Sequence, residues 1–189
     1  MMMMMMMMMM VMMMEMMMMM MMMMMMMMMV MMEMMMMTPS AGASVEHQIL
    51  DSNPVLESLG NAKTIRNNNS SRFGKYMEVN FDLKGRIKGC NISAYLLEKS
   101  RVVKQGPNER NYHVFYMLLA GASKEMKKEL GLKPADQFQY LTQGGCLVVD
   151  RRNDGEEFEE MMFAMGSLRI DATFQQNMFQ CLAAILHLG

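Results

Sequence analysis

The sequence contains no tryptophan and only three cysteines, Cys90, Cys146 and Cys181. An odd number of widely spaced thiols, with no C-x-x-C pair, excludes a disulfide framework and a cysteine zinc site. The three histidines, His47, His113 and His187, are equally scattered. They read as ordinary surface or core residues, not metal ligands. An excess of charge of one sign is missing too. Lys and Arg number 18 against 19 Asp and Glu, for a formal net charge of −1. That balance excludes a strongly basic nucleic-acid binder and an acidic tail protein, and it gives little guidance to partners.

What the chain has in excess is methionine, 40 residues in all. Residues 1–37 hold all but seven of them, interrupted only by Val11, Glu15, Val30 and Glu33, and they inflate the hydrophobic fraction of 52%. The tract is long enough to span a bilayer. It lacks the basic start and small-residue cleavage site of a secretory signal, and no Lys, Arg, Trp or Tyr anchors its ends. An apolar tail or helix also fits, because methionine is a good helix former. A third reading is preferred: a low-complexity tract or a spurious run of start triplets, since valine is one nucleotide from methionine. The chain then divides into residues 1–37 and an informative part, 38–189. Sequons at Asn68, Asn69 and Asn91 read as coincidental without a secretory signal.

Periodicity organises the informative part. "SVEHQILD" (44–51) reads as the end of a helix with Val45 and Ile49 on one face. "NPVLESLG" (53–60) reads as a second helix, capped by Asn53, with Pro54 in its first turn and Gly60 just past its end. "KYMEVNFDL" (75–83) alternates and predicts a half-buried strand with Met77, Val79, Phe81 and Leu83 inward. Gly85 supplies a turn, and "RIKGCNISAYLLEKSRVV" carries one or two further strands, giving a hairpin or meander. Helices follow. One is capped by Asn108 and stopped by Gly121, with Tyr112, Phe115, Tyr116 and Leu119 as its stripe. A short charged helix runs between Ser123 and Gly131. The next carries Phe158, Met161, Met162 and Met165. The last opens on a Thr173-x-x-Gln176 capping box and carries Met178, Cys181, Leu182 and Ile185. The chain stops at the apolar "AAILHLG", which suggests a core continued by further elements and hence a fragment.

The stretch that organises least into secondary structure is the richest in chemistry. "TIRNNNSSRFGKY" (64–76) concentrates amides, hydroxyls and one arginine before a glycine. Asparagine can donate to phosphate oxygen, and a serine hydroxyl is a hard oxygen ligand suited to Mg²⁺. Arginine pairs bidentately with a carboxylate. A loop of this kind can be ordered by a γ-phosphate and released on hydrolysis. The same residues also make an ordinary solvated loop. Nucleic-acid binding through "SRFGKY" rests on two basic and two aromatic residues, and the near-neutral charge argues against it.

"GNAKTIRNNNSSRFGKY" resembles the switch I region of myosin motor domains. "YLLEKSRVV", "ERNYHVFYMLLAGAS", "YLTQGGC" and "AAILHLG" continue the resemblance in the family's order, and "QILDSNPVLESLGNAKT" resembles the segment before switch I. It covers residues 45–189 and none of 1–37. The resemblance implies an α/β fold, part of a P-loop NTPase-type motor domain, with a transducer-like strand meander followed by several helices. It implies an ATP-hydrolysing motor with ATP and Mg²⁺ as cofactors, actin filaments as partner, and a cytoplasmic, cytoskeleton-associated location. Neither nucleic acid nor membrane enters. Residue by residue, Asn67 is similar to the asparagine that binds nucleotide phosphate. Ser70 resembles the serine beside the γ-phosphate and attacking water, and Ser71 the serine that ligates Mg²⁺. Arg72 resembles the arginine that pairs with a switch II glutamate. Ser70 and Arg72 would thus be the catalytic residues. The chain departs from the family in having no G-x-x-x-x-G-K-[ST]. The expected glutamate partner of Arg72 would lie beyond Gly189. The chain alone is therefore expected to be catalytically incomplete, with Arg72 unpaired.

Overall fold

A computed structural model describes residues 44–189. The methionine tract, and the division drawn at residue 37, lie outside the described residues. The fold mixes helices with a few short antiparallel strands.

The first helix, α1 (Val45–Gly60), starts where the Ser44 hydroxyl accepts from the His47 amide at 3.4 Å. It runs unbroken through Pro54, which corrects the expectation of two helices meeting at Asn53. A proline inside a helix removes the bond to the carbonyl four residues back. Here that carbonyl belongs to Leu50, which is 64% exposed. Val55, Leu56 and Leu59, in contrast, are at most 1% exposed. Burial of that face outweighs the lost bond on the open side. Asn53 is no cap; its Oδ1 accepts from Lys75 Nζ at 2.8 Å.

Strand β1 (Asn61–Ala62) pairs antiparallel with β2 (Ser70–Ser71), in the register Asn61↔Ser71 and Ala62↔Ser70. These two bridges close the intervening residues into a loop. Strands β3 (Gly74–Phe81) and β4 (Ile87–Tyr95) form a hairpin, from Gly74↔Tyr95 to Phe81↔Ile87. Gly85 turns it with φ +76°, and the Asp82 carboxylate accepts from the Lys84 and Arg86 amides at 2.8 and 3.0 Å. Met77 and Val79 pack inward as expected, but Phe81 and Leu83 are 61% and 107% exposed. The register slips between Asn80 and Phe81, and a slip breaks the alternation that would have carried Phe81 inward. Only one strand follows the turn. Leu96 takes a left-handed conformation (φ 56°), and a 3₁₀ turn, Lys99–Val102, comes next.

Helix α2 (His113–Gly121) is the centre of the core. Residues 113–118 are all buried, so the expected single stripe is too narrow: α2 packs against α1 and both later long helices. Asn108 does not cap it. It sits in the left-handed region (φ 61°), and the helix begins five residues later. Helix α3 (Lys124–Glu129) is capped by Ser123, and α4 (Gln139–Thr142) is a single turn. Helix α5 (Asp154–Ser167), capped by Asn153, buries Phe158, Met161, Ala164 and Met165. A Cβ on Gly121 would collide with the Phe158 side chain, so glycine is what lets α2 and α5 approach there. Helix α6 (Ala172–Leu188) is capped by Asp171, whose Oδ1 accepts from Thr173 and Phe174 amides at 2.9 and 3.1 Å. An aspartate two residues upstream thus takes the capping role expected of Thr173. Among the described residues no helix is long and apolar enough to cross a membrane.

Candidate functional site

The 64–72 loop is built by its own polar side chains. The Thr64 amide donates to the Asn67 carbonyl at 2.8 Å, and Thr64 Oγ1 accepts from the Asn67 amide at 3.2 Å. Asn67 Oδ1 then accepts from the Asn69 amide at 2.8 Å, a side-chain substitute for a backbone turn. Asn69 is tied down at both ends of its amide. Its Nδ2 donates to Glu57 Oε2 at 2.8 Å, and its Oδ1 accepts from Asn61 Nδ2 at 3.0 Å. Two of the three asparagines therefore shape the loop, and α1 supplies the carboxylate that anchors it.

Three polar groups remain free to reach outward. Among the described residues, Asn67 Nδ2 has no partner, and the exposed Ser71 side chain makes no hydrogen bond. Ser70 Oγ accepts from Arg72 Nη1 at 3.1 Å, which leaves its O–H to donate elsewhere. Strand alternation sets Ser70 on the Arg72 side of β2 and Ser71 on the opposite, exposed side. The four residues singled out in the sequence, Asn67, Ser70, Ser71 and Arg72, lie on one loop, but they do not all face one way.

Arg72 is not unpaired. Its Nε donates to Glu98 Oε2 at 2.6 Å, and its backbone holds the loop from both sides, with its N–H on the Gly60 carbonyl (2.8 Å) and its C=O on the Glu98 amide (2.9 Å). The expectation that Arg72 lacks a carboxylate in this chain is corrected: Glu98 is brought to it by the hairpin. Glu98 Oε2 also accepts from Arg101 Nε at 2.7 Å. Burial pushes the Glu98 carboxyl up, but the hydrogen bonds and charges of Arg101 and Arg72 outweigh it and hold the group below the usual carboxylate range. Tyr112 donates its hydroxyl to the Glu98 carbonyl at 2.8 Å, and burial, with Glu98 nearby, raises its phenol far above the usual value.

Beneath the loop lies a second charged layer. Arg110 is fully buried, donates to Asp154 Oδ2 at 2.8 Å and stacks on the Tyr116 ring at 3.7 Å. Arg152 is paired with Glu157. His113 is fully buried among them, close to the Asn68 backbone. Glu98, Arg101, Glu109 and Arg110 escaped the sequence reading, and His113, read as an ordinary surface or core residue, is a core one. The i, i+3 pair in "EKSR" was the one local signal for the first two.

Both ATP and Mg²⁺ can be tested against these groups. The free donors at Asn67 and Ser70 suit phosphate oxygens, and the exposed Ser71 hydroxyl suits a hard cation. Ser71 would supply a single oxygen to the ion. Among the described residues no three acidic, histidine or cysteine side chains group to hold a metal.

Comparison with known proteins places this geometry in context. The family model described as myosin head (motor domain) matches residues 18–189. The Myosin-I heavy chain of Dictyostelium discoideum is 50% identical over 147 residues, 78% of this chain and 6% of that protein. The Unconventional myosin heavy chain 6 of Caenorhabditis elegans is 52% identical over 145 residues, 77% of this chain and 7% of that protein. For the Myosin ID heavy chain of Dictyostelium discoideum the figures are 52% over 145 residues, 77% and 13%. The chain thus spans between 6% and 13% of the length of these relatives.

Proposed function

The chain belongs to the myosin head family, and on that premise we propose that it is a segment of an actin-based motor ATPase whose 64–72 loop is switch I. In this reading residues 38–189 are part of a P-loop NTPase-type motor domain, residues 1–37 are a low-complexity tract, and the protein works with actin filaments at the cytoskeleton. The observation that carries it is the set of outward-free donors at Asn67, Ser70 and Ser71 on a loop otherwise closed by its own hydrogen bonds.

Bound Mg²⁺-ATP supplies the scissile phosphoryl bond and the charge that neutralises its oxygens. The chain's own residues hold and sense it. Asn67 Nδ2 would donate to a phosphate oxygen. Arg72 Nη1 occupies one lone pair of Ser70 Oγ, which would leave the Ser70 O–H free to donate to a bound γ-phosphate or its attacking water. Ser71 offers its hydroxyl to the metal. Because the loop is anchored to α1 through Asn69 and Glu57, closing on phosphate would move α1 as well. This is the linkage a sensor needs.

A chimera tests the reading. Residues 45–189 can be grafted in place of the matching segment of the Dictyostelium Myosin ID heavy chain. ATPase activity of the chimera should persist and should fall about 10²-fold or more on Ser71→Ala or Arg72→Ala, the usual scale for losing one ligand or donor at a phosphoryl centre. A chimera indifferent to both substitutions would refute the switch I assignment.

A second reading rests on one observation, the absence of G-x-x-x-x-G-K-[ST]. Without that cradle the chain on its own is a non-catalytic piece. Calorimetric titration with Mg-ATP should then show no micromolar binding, and tight binding would contradict it.

A further inference from the structure

We propose that Arg101 is the positioning residue of the 64–72 loop, a single buried guanidinium that fixes both legs of the loop through two carboxylates. Its functional weight rests on the switch I reading above; its geometry does not.

On one side, Arg101 Nε donates to Glu98 Oε2 at 2.7 Å and Nη2 to Oε1 at 3.4 Å. Glu98 in turn holds Arg72 Nε at 2.6 Å, and Arg72 Nη1 holds Ser70 Oγ at 3.1 Å. This path ends at the outgoing leg. On the other side, Arg101 Nη1 pairs with Glu109 Oε2 at 3.0 Å, and Glu109 Oε1 accepts from the Ile65 amide at 3.4 Å. That path ends at the incoming leg. Backbone bonds run alongside: Arg110 N–H to the Lys63 carbonyl at 3.1 Å, and Glu98 N–H to the Arg72 carbonyl at 2.9 Å. The turn and loop from residue 98 to 110 therefore follow the two legs, and Arg101 stands between them.

Burial makes the arrangement specific. Arg101 is 4% exposed, and its Nη1 also donates to the Arg110 carbonyl at 3.1 Å. Only a planar fork with several fixed donors reaches two carboxylates and a carbonyl at once. A lysine would keep the charge but serve one carboxylate at a time. The consequence is that the legs are coupled. Displacement of Arg72 pulls on Glu98, hence on Arg101, Glu109 and Ile65, so the loop opens and closes as one body.

The test uses the full chain and hydrogen exchange by NMR at two reporters, the Ile65 amide and the Arg72 Nε–H. Leu118 and Phe115 amides in the buried α2 report global opening. Arg101→Gln should speed exchange at both reporters about fivefold or more and leave α2 unchanged, since local opening is separable from global unfolding. Glu109→Gln should move Ile65 alone, and Glu98→Gln should move Arg72 alone. Arg101→Lys should restore protection at one reporter. Arg101→Gln moving one reporter or neither would overturn the proposal, as would acceleration of α2 equal to that of the loop. If Arg101→Gln fails to fold, the two glutamate variants decide: each must loosen its own leg, and silence from either refutes it. No nucleotide enters this experiment. A passing exchange pattern beside an indifferent Ser71→Ala chimera would remove the functional reading and leave the staple standing.

Discussion

Replacing His113 by phenylalanine should remove a pH dependence built into the core. His113 is 0% exposed, and among the described residues neither ring nitrogen has a well-formed hydrogen bond, the Asn68 backbone lying beside the ring. Burial first, then the guanidiniums of Arg152 and Arg110, lower its pKa to about 2, and the Asn68 backbone beside it opposes this weakly. The folded chain keeps the ring neutral, while the unfolded chain protonates it near pH ~6.5. Below that point the unfolded state binds a proton that the folded state refuses. Stability is therefore complete above pH ~6.5 and is lost as pH falls toward the folded value. The loss is about 1.4 kcal/mol per pH unit, so descending to about pH 5 costs about 2 kcal/mol.

Urea unfolding followed by far-UV circular dichroism, for the parent and His113→Phe between about pH 8 and 5, isolates this group because the other titrations are common to both chains. With a slope of roughly 2 kcal/mol per molar urea, the parent's midpoint should fall about 1 M further than the variant's. The variant should be the less stable chain at high pH only if phenylalanine packs poorly; the pH dependence is independent of that offset. Parallel pH profiles for the two chains would refute the reasoning, because they would mean that His113 is solvated or charged in the fold.

Other consequences follow from single contacts. Asp154→Asn removes the carboxylate facing the fully buried Arg110, and leaving that guanidinium unpaired should cost about 2–4 kcal/mol in the same urea assay. Gly144→Ala places a methyl against the Glu109 carbonyl and 2.9 Å from the Gly106 carbonyl; because both are backbone, the change should cost roughly 1–3 kcal/mol and loosen the Ile65 amide through Glu109. Leu118→Ala, at a 0% exposed site in α2, should cost about 2–5 kcal/mol. Leu83→Lys, at the fully exposed hairpin tip, should change stability by less than about 0.5 kcal/mol while reducing self-association seen by light scattering.

The features legible in the sequence were those that local rules govern. Ser123 and the Gly85 turn act as their residue types dictate, and the buried faces of α5 and α6 follow their period, whereas 44–51, read as the end of a helix, is where α1 begins. Errors arose where packing overrode propensity. Pro54 was read as a helix start, yet the burial of Val55, Leu56 and Leu59 carries α1 through it. Asn108 and Thr173 have the chemistry of caps, but a left-handed loop claims one and Asp171 pre-empts the other. The position of Phe81 depended on a register slip that no single strand announces.

The partner of Arg72 is the instructive miss, because strand pairing comes within one residue of it. Glu98 is 26 residues away, and nothing local links the two. Yet an antiparallel hairpin turned at Gly85, with Gly74 opposite Tyr95, must bring the residues just outside its arms together. Counting outward along both arms sets Arg72 opposite Leu97, and the left-handed turn at Leu96 breaks the arm and brings Glu98, one residue on, to Arg72 instead. Strand pairing alone thus comes within one residue of this long-range contact, and the left-handed residue that completes it has no local signal. It also changes the chemistry of the loop. Arg72 enters any closure already bound to a carboxylate that Arg101 shares. A glutamate arriving from elsewhere in a larger motor domain would have to compete with Glu98 for it. Because Arg101 also pairs with Glu98, loss of Arg72 need not strand a buried charge. On the switch I reading, Glu98 would then be the partner from which Arg72 is drawn and to which it returns.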